Sequence, residues 1–129
     1  IERHASSALK YGSAAISSSG TVTLECALAA LPIIVCYKTS FINYALFNFF
    51  GNINFISIVN LIAEKKIVPE LIKSNMNPKK LFNNIMPFIN GNSKKRNTVL
   101  ENYNILRQKL GPDGVFDRIA NTIINSLNR

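Results

Sequence analysis

Four residues near the start of the chain have the types and spacing to hold a phosphate and the sugar next to it. They are Ser19, Gly20, Thr21 and Glu25, within the stretch ISSSGTVTLECALAALPIIVCY that runs from Ile16 to Tyr37. Glycine lets the backbone approach a ligand closely, and Ser19 and Thr21 add hydroxyl donors. A helix beginning there would offer unpaired N–H groups and the positive end of its macrodipole, both suited to a phosphate. Glu25 follows Thr21 by four residues and so falls on the same helix face one turn further in. Beside a bound phosphate its charge would be repelled. One sugar further along, it could accept hydrogen bonds from two ribose hydroxyls. A plainer role also fits Glu25, that of a carboxylate complementing the start of a helix, and a Ser-Gly-Thr turn is common in itself.

The elements that would position these residues follow from the pattern on either side. Residues 2–11 read as the end of a helix stopped at Gly12, and Ser13 to Ser17 as a short strand entering the Ser18-Ser19-Gly20 turn. Thr21 to Ala30 is helical and apolar nearly all round, the mark of a buried helix, and Leu31-Pro32 ends it. The unbroken run Ile33 to Tyr37 predicts a central parallel strand covered on both faces. A second helix is expected over Phe41 to Phe50, and a third strand over Phe55 to Ile58. Strands alternating with helices predict an α/β fold with a partial Rossmann-like parallel sheet. From about residue 78 the chain turns helical. Asn77 caps a helix with Pro78 in first position, carrying Leu81, Ile85 and Phe88 and shortened or kinked by Pro87. A further helix over 94–110 repeats apolar groups at Val99, Tyr103, Leu106 and Leu110 and closes at Gly111-Pro112. The last shows Val115-Phe116, Ile119-Ala120, Ile123-Ile124 and Leu127. With neither an internal repeat nor a long linker, all 129 residues are expected in one domain.

Charge is unevenly spread. Residues 1–64 carry Arg3, Lys10 and Lys38 against Glu2, Glu25 and Glu64, so the whole net charge of +8 comes from residues 65–129. Either a solvated basic face or an anionic partner accounts for that excess. Lys94-Lys95-Arg96 has no interleaved aromatic platform, which argues against nucleic acid. Cys26 and Cys36 sit in apolar surroundings with no histidine at ligand spacing, which predicts two free thiols and no metal site. His4, the sole histidine, follows Glu2 and Arg3, reads as an exposed helix residue and is no nucleophile's base. Thr39 to Ala63 is free of charge and long enough for a membrane span, but five asparagines and the Gly51-Asn52 break predict a helix and a strand instead. No signal peptide is legible at Ile1-Glu2-Arg3-His4, which reads as mid-helix and suggests a piece of a longer protein.

Three segments carry a family resemblance: SSSGTVTLECALAALPIIVCYKTS, FISIVNLIAEKKIVPELI and NPKKLFNNIMPFI. Together, over about Ser13 to Leu127, they resemble the C-terminal part of the lipid-A-disaccharide synthase family. The best motifs are SGT-x-TLE, the apolar strand ending in Tyr37-Lys38, and Ser57-Ile58-Val59-Asn60-Leu61, similar to the family's S-L-P-N-L. The resemblance implies a GT-B fold and an inverting glycosyltransferase of lipid A biosynthesis. Such an enzyme joins UDP-2,3-diacylglucosamine to 2,3-diacylglucosamine 1-phosphate through a β-1,6 bond and releases UDP, without metal or other cofactor. It implies a cytoplasmic protein, peripheral on the inner face of the bacterial inner membrane. By carry-over, Ser19, Gly20 and Thr21 would face the diphosphate and Glu25 the ribose, with Asn60 at the mouth of the third strand on the phosphate-sugar side of the cleft.

The departures are as informative. Where the family has Asn-Leu-Leu-Ala-Gly-Arg-Glu, this chain has Asn60-Leu61-Ile62-Ala63-Glu64-Lys65-Lys66, losing the glycine and replacing a bidentate arginine by a point charge. The helix after Lys38, often basic in relatives, is aromatic here and suits a shallow membrane contact. The N-terminal Rossmann domain, which would hold the acceptor and the catalytic base, is not in these residues, so the chain is expected to be inactive alone. Its last helices would cross to that domain, or to a partner's in a swapped homodimer. Rival readings are another UDP-sugar GT-B protein, such as an epimerase or peptidoglycan glycosyltransferase, and a non-catalytic remnant that binds a membrane surface.

Overall fold

The computed structural model describes residues 8–38, 55–91, 93–111 and 114–127. Three strands form one parallel sheet in the order β1 (Ala15–Ser17), β2 (Ile33–Tyr37), β3 (Glu70–Ile72). Ala15 pairs with Ile33 and Ser17 with Val35, while Val35 pairs with Glu70 and Tyr37 with Ile72. The middle strand is the expected one. Its β-branched residues pack on both faces, and Ile33 and Ile34 are completely buried.

Helix α1 (Val22–Leu28) makes the crossover from β1 to β2. It buries only the stripe Thr23, Cys26 and Ala27, whereas Leu28 is 43% exposed, so the all-round apolar pattern overstated its burial. The helix stops before Leu31-Pro32: Ala30 turns left-handed at φ 55°, and Leu31 N–H reaches back to Cys26 O at 2.9 Å. That is a Schellman ending, which leaves Ile33 aimed into the sheet.

The third strand is not where the pattern put it. Ile58–Ala63 is a helix, α2, and the strand comes twelve residues later at Glu70. Ser57 decides this locally, since its Oγ accepts the Asn60 N–H at 3.3 Å and caps the helix. A short apolar run such as Phe55-Ile56-Ser57-Ile58 reads equally well as a strand or a buried helical turn. The helix expected over Phe41 to Phe50, with its aromatic face, lies outside the described residues, as do residues 2–7 of the first helix, including His4.

The helical tail matches its signals more closely. After a 3-10 turn (Lys73–Asn75), Asn77 Oδ1 caps α3 (Pro78–Ile89) by accepting Lys80 N–H at 2.9 Å. Pro87 lies inside α3, which ends two residues later. Helix α4 (Lys94–Leu110) buries Val99, Tyr103 and Leu106, but Leu110 is 39% exposed. Two arginines tie α4 to the core. Arg96 donates to Ser13 O at 2.5 Å and Phe88 O at 2.8 Å, and Arg107 donates to Leu28 O. Part of the basic excess therefore caps backbone carbonyls. The final helix, α5 (Val115–Leu127), leaves Ile119, Ile123 and Ile124 more than half exposed.

Candidate functional site

The turn after β1 is held by its neighbours and open above. Ser19 Oγ donates to Ile56 O at 2.9 Å, binding the turn to the segment that enters α2. Gly20 O accepts twice from Thr23, from Oγ1 at 2.7 Å and from N–H at 3.1 Å, and Thr23 is completely buried. Gly20 has φ 158°, at the margin of the region closed to other residues, yet a Cβ there would meet no atom within 4 Å. Among the described residues, conformation and not crowding thus calls for glycine.

Thr21 occupies the cap position of α1, but its hydroxyl makes no capping bond and is exposed. Glu25 N–H donates to Thr21 O at 3.1 Å, which sets the carboxylate one turn on, exposed to solvent. Ser19, Gly20, Thr21 and Glu25 are therefore gathered at the carboxyl end of β1, the side on which open α/β sheets receive ligands. With only seven residues in α1, the macrodipole is small. The individual N–H and hydroxyl donors of the turn matter more.

Asn60 stands differently from the expectation. It is completely buried within α2, not at a strand mouth. Its Nδ2 donates to Val68 O at 3.0 Å and Glu70 Oε1 at 2.8 Å, while Oδ1 accepts Ile67 N–H at 2.8 Å and Val68 N–H at 3.0 Å. Both donors and both lone pairs are thereby used inside the chain. The amide shapes the cleft from beneath, holding the bend that leads into β3.

Glu70 completes this arrangement and was not singled out from the sequence. Its carboxylate accepts Ile56 N–H at 3.1 Å, Ser57 N–H at 2.9 Å and Ser57 Oγ at 2.7 Å, besides the Asn60 amide. Because Ile56 O in turn accepts Ser19 Oγ, one chain of hydrogen bonds links β3 to the Ser-Gly-Thr turn. The available signal was a carboxylate opening an apolar segment, Val68-Pro69-Glu70-Leu71. Its partners are 10 to 14 residues away and could not be read from it.

Glu64, where the resemblance set a glycine, adopts φ 56° at the end of α2. The backbone still makes the left-handed bend that favours glycine, now with a side chain to accommodate. Lys65 beside it is exposed. Cys26 and Cys36 are free thiols. Burial pushes Cys26 above the usual thiol range, with the Glu25 charge adding to it, and burial alone raises Cys36. Among the described residues, no three His, Cys, Asp or Glu side chains cluster to hold a metal ion, and no helix is long and apolar enough to cross a membrane.

Residues 1–112 match the family model described as lipid-A-disaccharide synthetase. Proteins named lipid-A-disaccharide synthase are similar over most of the chain. That of Syntrophus aciditrophicus is 36% identical across 88% of this chain and 29% of its own length. That of Sulfurihydrogenibium sp. is 35% identical across 88% of this chain and 29% of its own. The Myxococcus xanthus protein is 30% identical across 98% of this chain and 33% of its own. The chain thus spans a third or less of the length of these relatives, with the glycine-centred turn, α1 and the Asn60–Glu70 bend inside the matched residues. The chain belongs to the lipid-A-disaccharide synthetase family.

Proposed function

We propose that this chain is the donor-binding portion of a lipid-A-disaccharide synthase, with the turn after β1 receiving the UDP part of UDP-2,3-diacylglucosamine. Ser19, Gly20 and Thr21 face the diphosphate, and Glu25 accepts hydrogen bonds from the ribose hydroxyls. Asn60 acts through Glu70, which it orients and which holds Ile56 and Ser57, and Ser19 leans on Ile56. The observation that carries this reading is the gathering of four polar residues at the carboxyl end of β1, with the Thr21 hydroxyl and the Glu25 carboxylate turned to solvent.

The whole reaction transfers the sugar to 2,3-diacylglucosamine 1-phosphate, inverting the anomeric centre, forming a β-1,6 bond and releasing UDP. This chain supplies the donor site, and a separate N-terminal domain supplies the acceptor site and the base. The chain by itself is inactive. The exposed isoleucines of α5 support a need for a further protein surface, because an apolar stripe of this kind is ordinarily covered. The membrane contact at the inner leaflet belongs to the assembled enzyme.

A thermodynamic cycle tests the Glu25 assignment directly. UDP and 2′,3′-dideoxy-UDP are titrated into the wild-type chain and into Glu25→Gln. Hydrogen bonds to a charged acceptor predict that removing the hydroxyls weakens wild-type binding by about tenfold or more. In Glu25→Gln most of that difference disappears. An unchanged ratio between the two ligands in the variant would contradict the assignment.

A further inference from the structure

Two arginines of the basic half are committed to backbone carbonyls, but four lysines surround a cleft that the donor turn does not touch. The cleft has a volume of about 640 Å³ and lies between the 66–71 segment, one face of α3 and the first turns of α4. Lys66, Lys80, Lys94 and Lys95 form its rim, and Phe88 and Val99 are among the apolar residues of its wall. None of the residues lining it belongs to the turn, to α1 or to residues 55–60.

The charge around this cleft is unbalanced. Glu70 is the sole carboxylate among the described residues lining it, and that group is already engaged by Ile56, Ser57 and Asn60. Lys80 Nζ reaches the Asn75 side chain, while Lys66, Lys94 and Lys95 have no carboxylate partner among the described residues. Lys94, Lys95 and Arg96 also fill the first turn of α4, which contains no acidic residue. A helix favours anions at that end, so these cations oppose both the helix and one another. An anion in the cleft relieves both. The volume exceeds what a bare phosphate needs and falls within the range of small-molecule sites.

We propose that this cleft is a second anion site, taking a phosphate-bearing ligand whose phosphate sits among the lysines of the rim. The phosphate could belong to a soluble metabolite or to the headgroup of an anionic lipid, since lysine side chains recognise both alike. The cleft shares no residue with the donor turn, so the two sites stand or fall separately.

The test adds inorganic pyrophosphate, phosphatidylglycerol vesicles or phosphatidylcholine vesicles to the 129-residue chain and to its Lys94→Gln/Lys95→Gln variant. Amide shifts follow pyrophosphate, and co-sedimentation follows the vesicles. Both lysines are exposed, so the variant is expected to keep the wild-type thermal midpoint. A pyrophosphate response at Lys94, Lys95 and Thr98, weakened about tenfold in the variant, supports the site and assigns a soluble ligand. Sedimentation with phosphatidylglycerol but not phosphatidylcholine, lost in the variant, supports it and assigns a lipid headgroup. Equal binding by variant and wild type overturns the proposal, as does pyrophosphate acting only at Gly20 and Thr21. No response to either anion overturns it as well.

Discussion

Two polar regions meet at the end of β1, and they differ in what satisfies them. Every donor and acceptor of the Asn60 side chain is used within the chain, and the residue is completely buried. At Ser19-Gly20-Thr21 the backbone is anchored from below, yet the Thr21 hydroxyl and the Glu25 carboxylate face solvent. Unpaired polar groups are costly only when buried. The closed region can thus serve as a platform, and the open one can keep its hydrogen-bonding capacity for a ligand. The two touch at one point, Ile56, whose N–H is held by Glu70 and whose carbonyl accepts Ser19.

Substitution in the closed region should cost stability first. Asn60→Ala removes the partners of the Ile67 and Val68 N–H groups and the Asn60 donor to Val68 O, so a loss of about 4 kcal/mol is expected. Chemical denaturation would show it as a lower midpoint. A loss below about 1 kcal/mol would mean that water replaces the amide and that the platform is not closed. Glu70→Gln should cost less, about 2 kcal/mol, because a neutral acceptor remains but one oxygen becomes a donor facing N–H groups. If stability is unchanged, the link between β3 and the turn contributes nothing.

Glu64 gives an effect of opposite sign. At φ 56° a glycine fits without a Cβ, so Glu64→Gly should stabilise the chain by about 1 kcal/mol. The ion pair with Lys109 offsets little of this, being 3.9 Å long and largely exposed. A destabilised variant would show that Glu64 has a role beyond its backbone bend.

Alkaline titration probes the core beneath both regions. The Tyr103 hydroxyl is buried near the backbone of Ile33 without a partner in hydrogen-bond geometry among the described residues, and burial pushes the phenol far above its ordinary range. Cys26 is raised by the same cause. In both, the folded state keeps a proton that the unfolded state releases. Stability is therefore full at neutral pH and falls as pH rises through the unfolded values, about 8.5 for the thiol and about 10 for the phenol. Tyr103→Phe should remove the upper part of that fall and leave neutral-pH stability unchanged or higher by about 1 kcal/mol. Thermal midpoints across pH 7 to 11 would check it, and an identical profile in the variant would exclude Tyr103 as the source.

How far the sequence disclosed this arrangement depended on the range of the forces involved. The central strand was legible because burial on both faces demands the unbroken run Ile33 to Tyr37. Asn77-Pro78 announced α3, since capping is settled within three residues. The turn was legible from Gly20, Thr21 and the spacing to Glu25. Asn60 was found but given the wrong surroundings, because Phe55 to Ile58 suits a strand or a helical turn until Ser57 caps the helix. Glu70, Arg96 and Arg107 escaped because their partners are set by tertiary contact; Arg96 finds Ser13, 83 residues away. Nothing in the sequence around Glu64 announced its left-handed backbone, which needed the structure.

The most direct measurement is an amide and side-chain NMR titration of the chain with UDP. Shifts are expected at Gly20, Thr21 and Glu25 that saturate together, with the Asn60 side-chain amide unmoved and protected from exchange. Shifts centred on Asn60, or a turn indifferent to UDP at millimolar concentration, would contradict the division into a closed platform and an open donor site.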